Sequence, residues 1–314
     1  MVEASHPVAE QARALRDTVG VRILPEARVL VVSGADARSW LNGQVTNDLG
    51  KAVPGSALYA LRVGVRGKII SDLWITDGGD GTFLLAVSDL ACGPLLTSLE
   101  HHIIMEDVSL HLRDDLRIVT AQGPQAQAAL AQAAAAPPQA FHTDRLGRGG
   151  VDVVTGVDGA EAAAETLTAA AEGLGGCRVG EEGWELARLR AAIPQFGRDF
   201  GEESYPQEAG LGARAVSFQK GCYVGQEVVF KIEKRGRVSR CLVLLAATEP
   251  GPVCASDAVH DAAGTTVGEV TSSTADPEAQ GCALALARLR SAATRQAAAV
   301  NVAGVGMTVQ RILG

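Results

Sequence analysis

The sequence predicts an α+β chain in which mixed strand and helix segments fill roughly the first 200 residues and a small antiparallel β barrel or sandwich follows. Three observations carry this. The 314 residues exceed what one small core organises, so two or three domains are expected. Up to the proline at 194, apolar runs of strand type alternate with runs of helical period. Beyond about residue 237 every apolar run is β-like and bounded by Gly, Pro, Asp or Ser, which places a domain boundary near Arg240.

Taken in order, "RVLVVSG" reads as a strand and "ADARSWLNGQV" as a short helix packed back through Trp40 and Leu41. "SALYALRV" is a second strand. "KIISDLWIT" and "TFLLAV" flank "DGGDG", the strongest hairpin signal in the chain, so those two strands should pair. Ser88 or Asp89 is the expected N-cap of a helix in "SDLACGPLLTSLEHH", and "VSLHL" and "LRIVTA" supply further strands. "GPQAQAALAQAAAAPP" is an alanine-rich helix, with Pro124 near its start and a double proline as its stop. "VDVVTG" and "AEAAAETLTAAAEG" repeat strand then helix, and "GEEGWELARLRAAI" is a helix ended by Pro194. "VSRCLVLLAAT", "TTVGEVTSST", "CALALARL" and "AAVNVAGVGMTVQRIL" form the closing β region. No repeat of fixed period is present.

Hydrophobic residues are 47% of the chain and charged residues 20%, a globular balance. A net charge of −8 argues against a surface that grips nucleic acid throughout, though a local basic patch fits. The first residues lack a signal-peptide h-region and no apolar run reaches membrane-span length, so a cytoplasmic, non-membrane protein is expected. The six cysteines, at 92, 177, 222, 241, 254 and 282, form no C-x-x-C pair, which argues against disulfide scaffolding and structural zinc. Taken alone, each reads as a small buried hydrophobe.

Two stretches could carry chemistry. In "GKIISDLWI", Asp72 shares a strand face with Ile70 and Trp74, so its carboxyl should have a raised pKa if no cation answers it, as at many catalytic or heterocycle-binding sites. The plainer reading pairs it with Arg66 or Lys68 at the strand entrance. In "SFQKGCYVGQEVVFKIEKRGR", Cys222 follows Lys220, which could lower its pKa, and Gly221, where backbone amides could approach an anion. The P-loop spacing is absent and no histidine lies near in sequence. The basic run Lys231, Lys234, Arg235, Arg237 and Arg240, opposed only by Glu233, could meet an oligoglutamate tail or RNA phosphate, or could be a solvated hairpin edge.

Together and in order, these motifs resemble the glycine-cleavage T-protein superfamily and, within it, the YgfZ-type folate-binding proteins. The similarity covers nearly the whole chain after residue 20: "GADARSWLNGQVTNDL", "RGKIISDLWI", "ARLRAAIPQFGRDF", "YPQEAGL" and "VGEVTSSTADPEAQGCALA" resemble the superfamily's successive motifs. "KGCYVGQE" matches the YgfZ signature residue for residue. The resemblance implies three lobes around a central folate-holding opening: two mixed α/β lobes over 20–240 and a barrel over 241–314. It implies tetrahydrofolate or a one-carbon derivative, including polyglutamylated forms, as cofactor. Asp72 matches the aspartate that T-proteins use in moving a one-carbon unit from an aminomethyl-lipoyl carrier to tetrahydrofolate, and Cys222 matches the essential YgfZ thiol. Glu208, Lys220, Gly221, Tyr223, Gln226, Glu227 and Arg237 complete the implied folate site, with no metal. YgfZ-type proteins support the assembly or repair of iron-sulfur enzymes, including one that methylthiolates tRNA, so iron-sulfur partners and no direct sequence-specific nucleic-acid binding are implied; aminomethyl transfer is the alternative activity. Two features depart from T-proteins. Gly210 stands where they carry an acidic pterin contact, with Glu208 two places earlier, and "CYVG" replaces their cysteine-free aromatic-Ile-Gly segment.

Overall fold

The computed structural model describes residues 6–133, 139–236 and 238–313. Helix α1 (Val8–Asp17) precedes strands β1 (Gly20–Ile23) and β2 (Ala27–Ser33), then α2 (Ala37–Gln44), β3 (Ala57–Val63), β4 (Ile69–Gly79), β5 (Thr82–Ser88) and α3 (Asp89–Glu100). There follow β6 (Ser109–Arg113), β7 (Leu116–Gln122), α4 (Ala126–Gln132), β8 (Ala140–His142), β9 (Gly150–Gly156), α5 (Ala160–Glu172), β10 (Cys177–Arg178) and α6 (Glu181–Arg190). The short α7 (Gly212–Ala215) and α8 (Gln226–Arg235) lead into β11 (Arg240–Pro250), β12 (Ala258–His260), β13 (Thr266–Asp276), β14 (Cys282–Arg290), β15 (Ala299–Val302) and β16 (Val305–Ile312).

These elements make three layered units. The first is an antiparallel sheet ordered β3-β4-β5-β2-β6, in which the "DGGDG" turn joins β4 to β5 as its composition requires. This sheet shares one core with α2 and α3 and with residues that return late in the chain, Phe196, Leu211, Tyr223 and Val229 among them. The second sheet is ordered β10-β1-β7-β9-β8, with α4 and α5 packed on it through an alanine- and valine-rich core. The third is a closed six-stranded antiparallel barrel, β11-β14-β13-β12-β15-β16, whose inward residues are small or β-branched: Val243, Ala285, Ala287, Val302 and their neighbours. The α+β architecture with a C-terminal barrel is as the sequence predicts.

Three local findings differ from the sequence reading or fall outside it. Val8–Asp17, to which the sequence reading assigns no element, is a helix that buries Ala12 and Leu15 against Leu186 and Ala187 of α6. The basic run is not a hairpin edge: Lys231, Lys234 and Arg235 lie on α8, which begins and ends at left-handed glycines, Gly225 and Gly236. The double proline expected to stop α4 lies outside the described residues. Among the described residues, no helix is long and apolar enough to cross a membrane.

A buried ionic cluster ties the barrel to the rest. Arg188 on α6 donates to Glu185 Oε1 at 2.6 Å and to Asp199 Oδ2 at 2.6 Å. Asp199 Oδ1 accepts from Thr271 Oγ1 and Ser272 Oγ of β13, each at 2.6 Å, and its Oδ2 also accepts from Gln195 N at 2.9 Å. Burial works against the charge on Arg188, and the hydrogen bonds and fields of Glu185 and Asp199 overcome it, so its pKa is raised. Removing Asp199 leaves the buried Arg188 with one of its two carboxylates and takes the shared acceptor from Thr271 and Ser272. Asp199→Ala should therefore cost about 3–5 kcal/mol in denaturant unfolding; a loss within the ±0.5 kcal/mol of ordinary surface changes would show that the cluster does not hold the barrel in place.

Candidate functional site

The β3–β4 hairpin sets Tyr59 opposite Trp74 and Leu61 opposite Asp72, so all four side chains share a face. Asp72 Oδ2 accepts the Tyr59 hydroxyl hydrogen at 2.9 Å, and the Tyr59 and Trp74 rings lie 4.9 Å apart. Two arginines cover these rings. The Arg214 guanidinium of α7 sits 5.0 Å from the Tyr59 centroid and 5.5 Å from that of Trp74, and Arg145 sits 5.4 Å from Trp74. Both are held: Arg145 pairs with Asp152 at 2.5 Å, and Arg214 donates to the Asp144 and Arg145 carbonyls at 2.6 and 3.1 Å.

These groups line a cavity of about 140 Å³, walled on its other side by Trp184, Arg188, Gln195 and Phe196. Burial raises the Asp72 carboxyl above the usual aspartate range, opposed by the Tyr59 hydrogen bond, its own backbone, Arg145 and Arg214. The salt-bridge reading at the strand entrance is thereby set aside. Lys68 bonds instead to Glu203, at 2.5 Å to its carbonyl and 3.1 Å to its carboxylate, and Arg66 is exposed. The cavity thus presents the carboxylates of Asp72 and Glu26, a phenol, flat aromatic faces and the guanidiniums of Arg145 and Arg214 beside Arg188, a set that fits a flat ring with N–H donors on one edge and polar substituents.

The signature turn is built differently from what its sequence suggests. The Lys220 side chain points inward and donates to the carbonyls of Asn42, Val45 and Asn47 at 2.6, 2.8 and 2.7 Å, while lying 5.3 Å over the Tyr223 ring. These carbonyls belong to the end of α2 and the residues after it, where a helix leaves acceptors unpaired. Val224 N adds a bond to the Gly43 carbonyl at 3.2 Å. The turn is therefore a cap supplied from a remote part of the chain. Lys220 spends its three donors on carbonyls, so the expectation that it activates the Cys222 thiol is corrected: it is an anchor. Between the two anchors Gly221 and Cys222 are exposed.

Tyr223 is buried in the first unit's core beside Phe230, Gln226 Nε2 reaches back to the Gly221 carbonyl at 3.3 Å, and Glu227 is exposed on α8. The glycine with a steric role is Gly225, at φ 79°, where an added Cβ would stand 2.3 Å from the Gly64 carbonyl oxygen. Asn47 links turn and cavity: its carbonyl accepts from Lys220, its Nδ2 donates to the Tyr59 carbonyl at 2.8 Å, and the Tyr59 hydroxyl reaches Asp72.

Other expected site residues are not gathered here. Glu208 does not line the cavity; it accepts from Tyr205 N at 3.2 Å and Ser239 Oγ at 2.9 Å, stapling its turn to the residues before β11. Gly210 has φ 69°, and an added Cβ would stand 2.6 Å from Leu313, so the acidic residue of T-proteins has no room at this position. Lys231, Lys234 and Arg235 are exposed on α8 and line no part of the cavity, and Arg237 lies outside the described residues. Among the described residues no group of three metal-ligating side chains occurs. Tyr59, Arg145 and Arg214 are the residues that sequence reasoning missed. Tyr59 is reachable by pairing "SALYALRV" with "KIISDLWIT"; the arginines, brought in by the loop between β8 and β9 and by α7, carry no local signal.

Comparison with known proteins agrees with this architecture. The GCVT N-terminal domain family matches residues 2–149. The tRNA-modifying protein YgfZ of Klebsiella pneumoniae (strain 342) is 27% identical over 77% of this chain and 76% of that protein. The aminomethyltransferase of Exiguobacterium sibiricum is 27% identical over 97% of this chain and 88% of that protein. The crystal structure of glycine cleavage system aminomethyltransferase T from Bartonella henselae superposes with a TM-score of 0.85 at 21% identity, covering 97% of this chain and 88% of that one, which establishes the shared fold. Together with the motifs and the three-unit architecture, these likenesses show a chain with the fold of a glycine-cleavage T-protein, similar in sequence both to YgfZ proteins and to aminomethyltransferases.

Proposed function

We propose that this protein binds reduced folate with its pterin ring at Asp72, and acts as a YgfZ-type accessory factor for iron-sulfur enzymes and through them for tRNA modification. The observation that carries the folate reading is the Asp72 carboxylate, oriented by Tyr59 in an aromatic pocket under Arg145 and Arg214. A carboxylate offers about four lone-pair sites, of which Tyr59 takes one, leaving acceptors for the N–H edge of a pterin. Trp74 offers a flat face to the ring, and the guanidiniums suit its carbonyl and the carboxylates that follow it. At about 140 Å³ the cavity is smaller than the few hundred Å³ of a drug-sized site, so it takes the ring and lets the rest of the folate leave through its mouth. Bound folate supplies a carrier for a one-carbon unit; the chain's part is to bind and orient it.

Two things favour the accessory role over aminomethyl transfer: the signature turn holds an exposed thiol, and the relatives that carry the name YgfZ are called tRNA-modifying. The retained Asp72 and the full-length likeness to an aminomethyltransferase support transfer as the second reading. Turnover of an aminomethyl-lipoyl carrier by the purified protein would decide for it.

One comparison tests the two halves of the proposal. Asp72→Ala should weaken tetrahydrofolate binding in calorimetry about tenfold or more, the scale of a hydrogen bond to a charged group at about 1.5–3 kcal/mol. Cys222→Ala should keep the fold and the folate affinity, yet fail to restore iron-sulfur enzyme activity and modified tRNA bases in a deletion strain. Unchanged affinity in the first variant removes Asp72 from the site, and full rescue by the second removes the thiol from the function.

In this reading Lys220 positions the thiol. Burial, partly offset by Asp48, lowers its ammonium from the usual lysine range to about 8. Between about pH 8 and the ordinary lysine pKa of about 10.4 the unfolded chain then binds more protons than the folded one, so stability from this group rises with pH in that window. The unfolding free energy of wild type should gain on that of Lys220→Met by up to about 1.4 kcal/mol per pH unit there. A difference that stays flat or shrinks across the window would show that the ammonium is not buried as described.

A further inference from the structure

The outer face of the barrel carries a feature that neither the fold nor the cavity uses. Arg240 at the start of β11 is in direct register with Arg290 at the end of β14, and Arg288, also pointing outward, lies two residues before Arg290. Like charges directly opposite on neighbouring strands repel, since their Cβ atoms are only about 5 Å apart. The one carboxylate at this place is Glu269, in register with Arg288 and 3.2 Å from its Nη2. Among the described residues neither Arg240 nor Arg290 has a salt-bridge partner, and the Arg288 Nε is buried without a hydrogen-bond acceptor. The three guanidiniums edge a recess of about 180 Å³. Gly268, which has no side chain, also lines it. A recess with three arginines and one glutamate carries two uncompensated positive charges in a chain whose net charge is −8.

We propose that this recess binds a phosphate oxyanion, with Arg240 and Arg290 gripping it from two strands and Arg288 Nε supplying the missing bond. Guanidinium forks match the geometry of tetrahedral phosphate oxygens, and an anion between Arg240 and Arg290 turns their repulsion into shared attraction. Such a phosphate comes either free or from the backbone of RNA. The second source rests on the tRNA-related reading above and extends it. Arg235 of α8 is five chain steps before Arg240, so the basic end of α8 lies within about 18 Å of the recess along the chain, close enough to continue contact with an RNA strand.

The test uses the full chain, with inorganic phosphate and a single-stranded RNA oligonucleotide lacking terminal phosphates as separate probes. The variants are Arg240→Gln with Arg290→Gln, and Arg113→Gln as a control on the β6 edge, away from the barrel. Phosphate should raise the melting temperature of wild type and of the control but not of the double variant, which should itself melt no lower than wild type without phosphate because the repulsion is gone. If RNA is the source, wild type binds the oligonucleotide and the double variant loses at least about tenfold in affinity, with the slope of log K against log salt reduced by about 1.4, two contacts at about 0.7 each. Phosphate stabilisation without RNA binding assigns the site to free phosphate. No response to either probe, or equal losses in the control, overturns the proposal. Tetrahydrofolate affinity measured on the same double variant should stay at the wild-type value, so that failure here is distinguishable from failure of the folate reading.

Discussion

The Lys220 ammonium, buried against three carbonyls, is the interaction on which the site depends. The segment from Asn42 to Asp48 is the end of a helix and a following turn, and its carbonyls would be left unpaired without a donor from elsewhere. Lys220 supplies that donor, and Thr46 in the same segment accepts the amide of Leu61 and donates to the carbonyl of Ala215. Strand β3, helix α7 and the signature turn are thereby assembled around one short stretch. Through Asn47 and Tyr59 the same stretch reaches Asp72. Position of the exposed thiol and position of the carboxylate follow from a single piece of backbone satisfaction.

The barrel is placed by a second polar device of similar logic. Arg188 lines the cavity and is held by Glu185 and Asp199, and Asp199 is held in turn by two hydroxyls of β13. Leu189 and Ala192 pack with Leu244 and Leu286 around it. Leu313, just past β16, occupies the space a side chain at Gly210 would need, and Glu208 nearby is committed to Ser239 and the Tyr205 amide. Glu208 thus lies outside the cavity, whose carboxylates are Asp72 and Glu26.

Much of the fold was legible because it rests on local signals. The "DGGDG" turn between two apolar runs, the cap-and-period pattern of α3 and the loss of helical runs after residue 237 each reflect short-range chemistry. Asp72 was legible for the same reason, since alternation in β4 places it beside Trp74. What was not legible depends on where a flexible side chain turns. Lys220 two residues before a cysteine reads as an activating neighbour, and only the tertiary position of α2 shows that burial and three carbonyls draw it the other way. Of the two readings open for the basic run, the hairpin edge does not hold for Lys231, Lys234 and Arg235, because Val229 buries into the first core and glycines at both ends close a helix.

Folate binding as proposed requires that the carboxylate of Asp72, oriented by Tyr59, receives the head of the reduced folate. The most direct measurement is a crystal structure of the protein with tetrahydrofolate bound. The account predicts pterin density against Trp74, with a ring N–H within hydrogen-bond distance of an Asp72 oxygen and the tail leaving past Arg145 and Arg214. Density for the ring in the larger groove of about 900 Å³ lined by Arg66, Lys68, His101 and His102, with the Asp72 cavity holding only water, would contradict it.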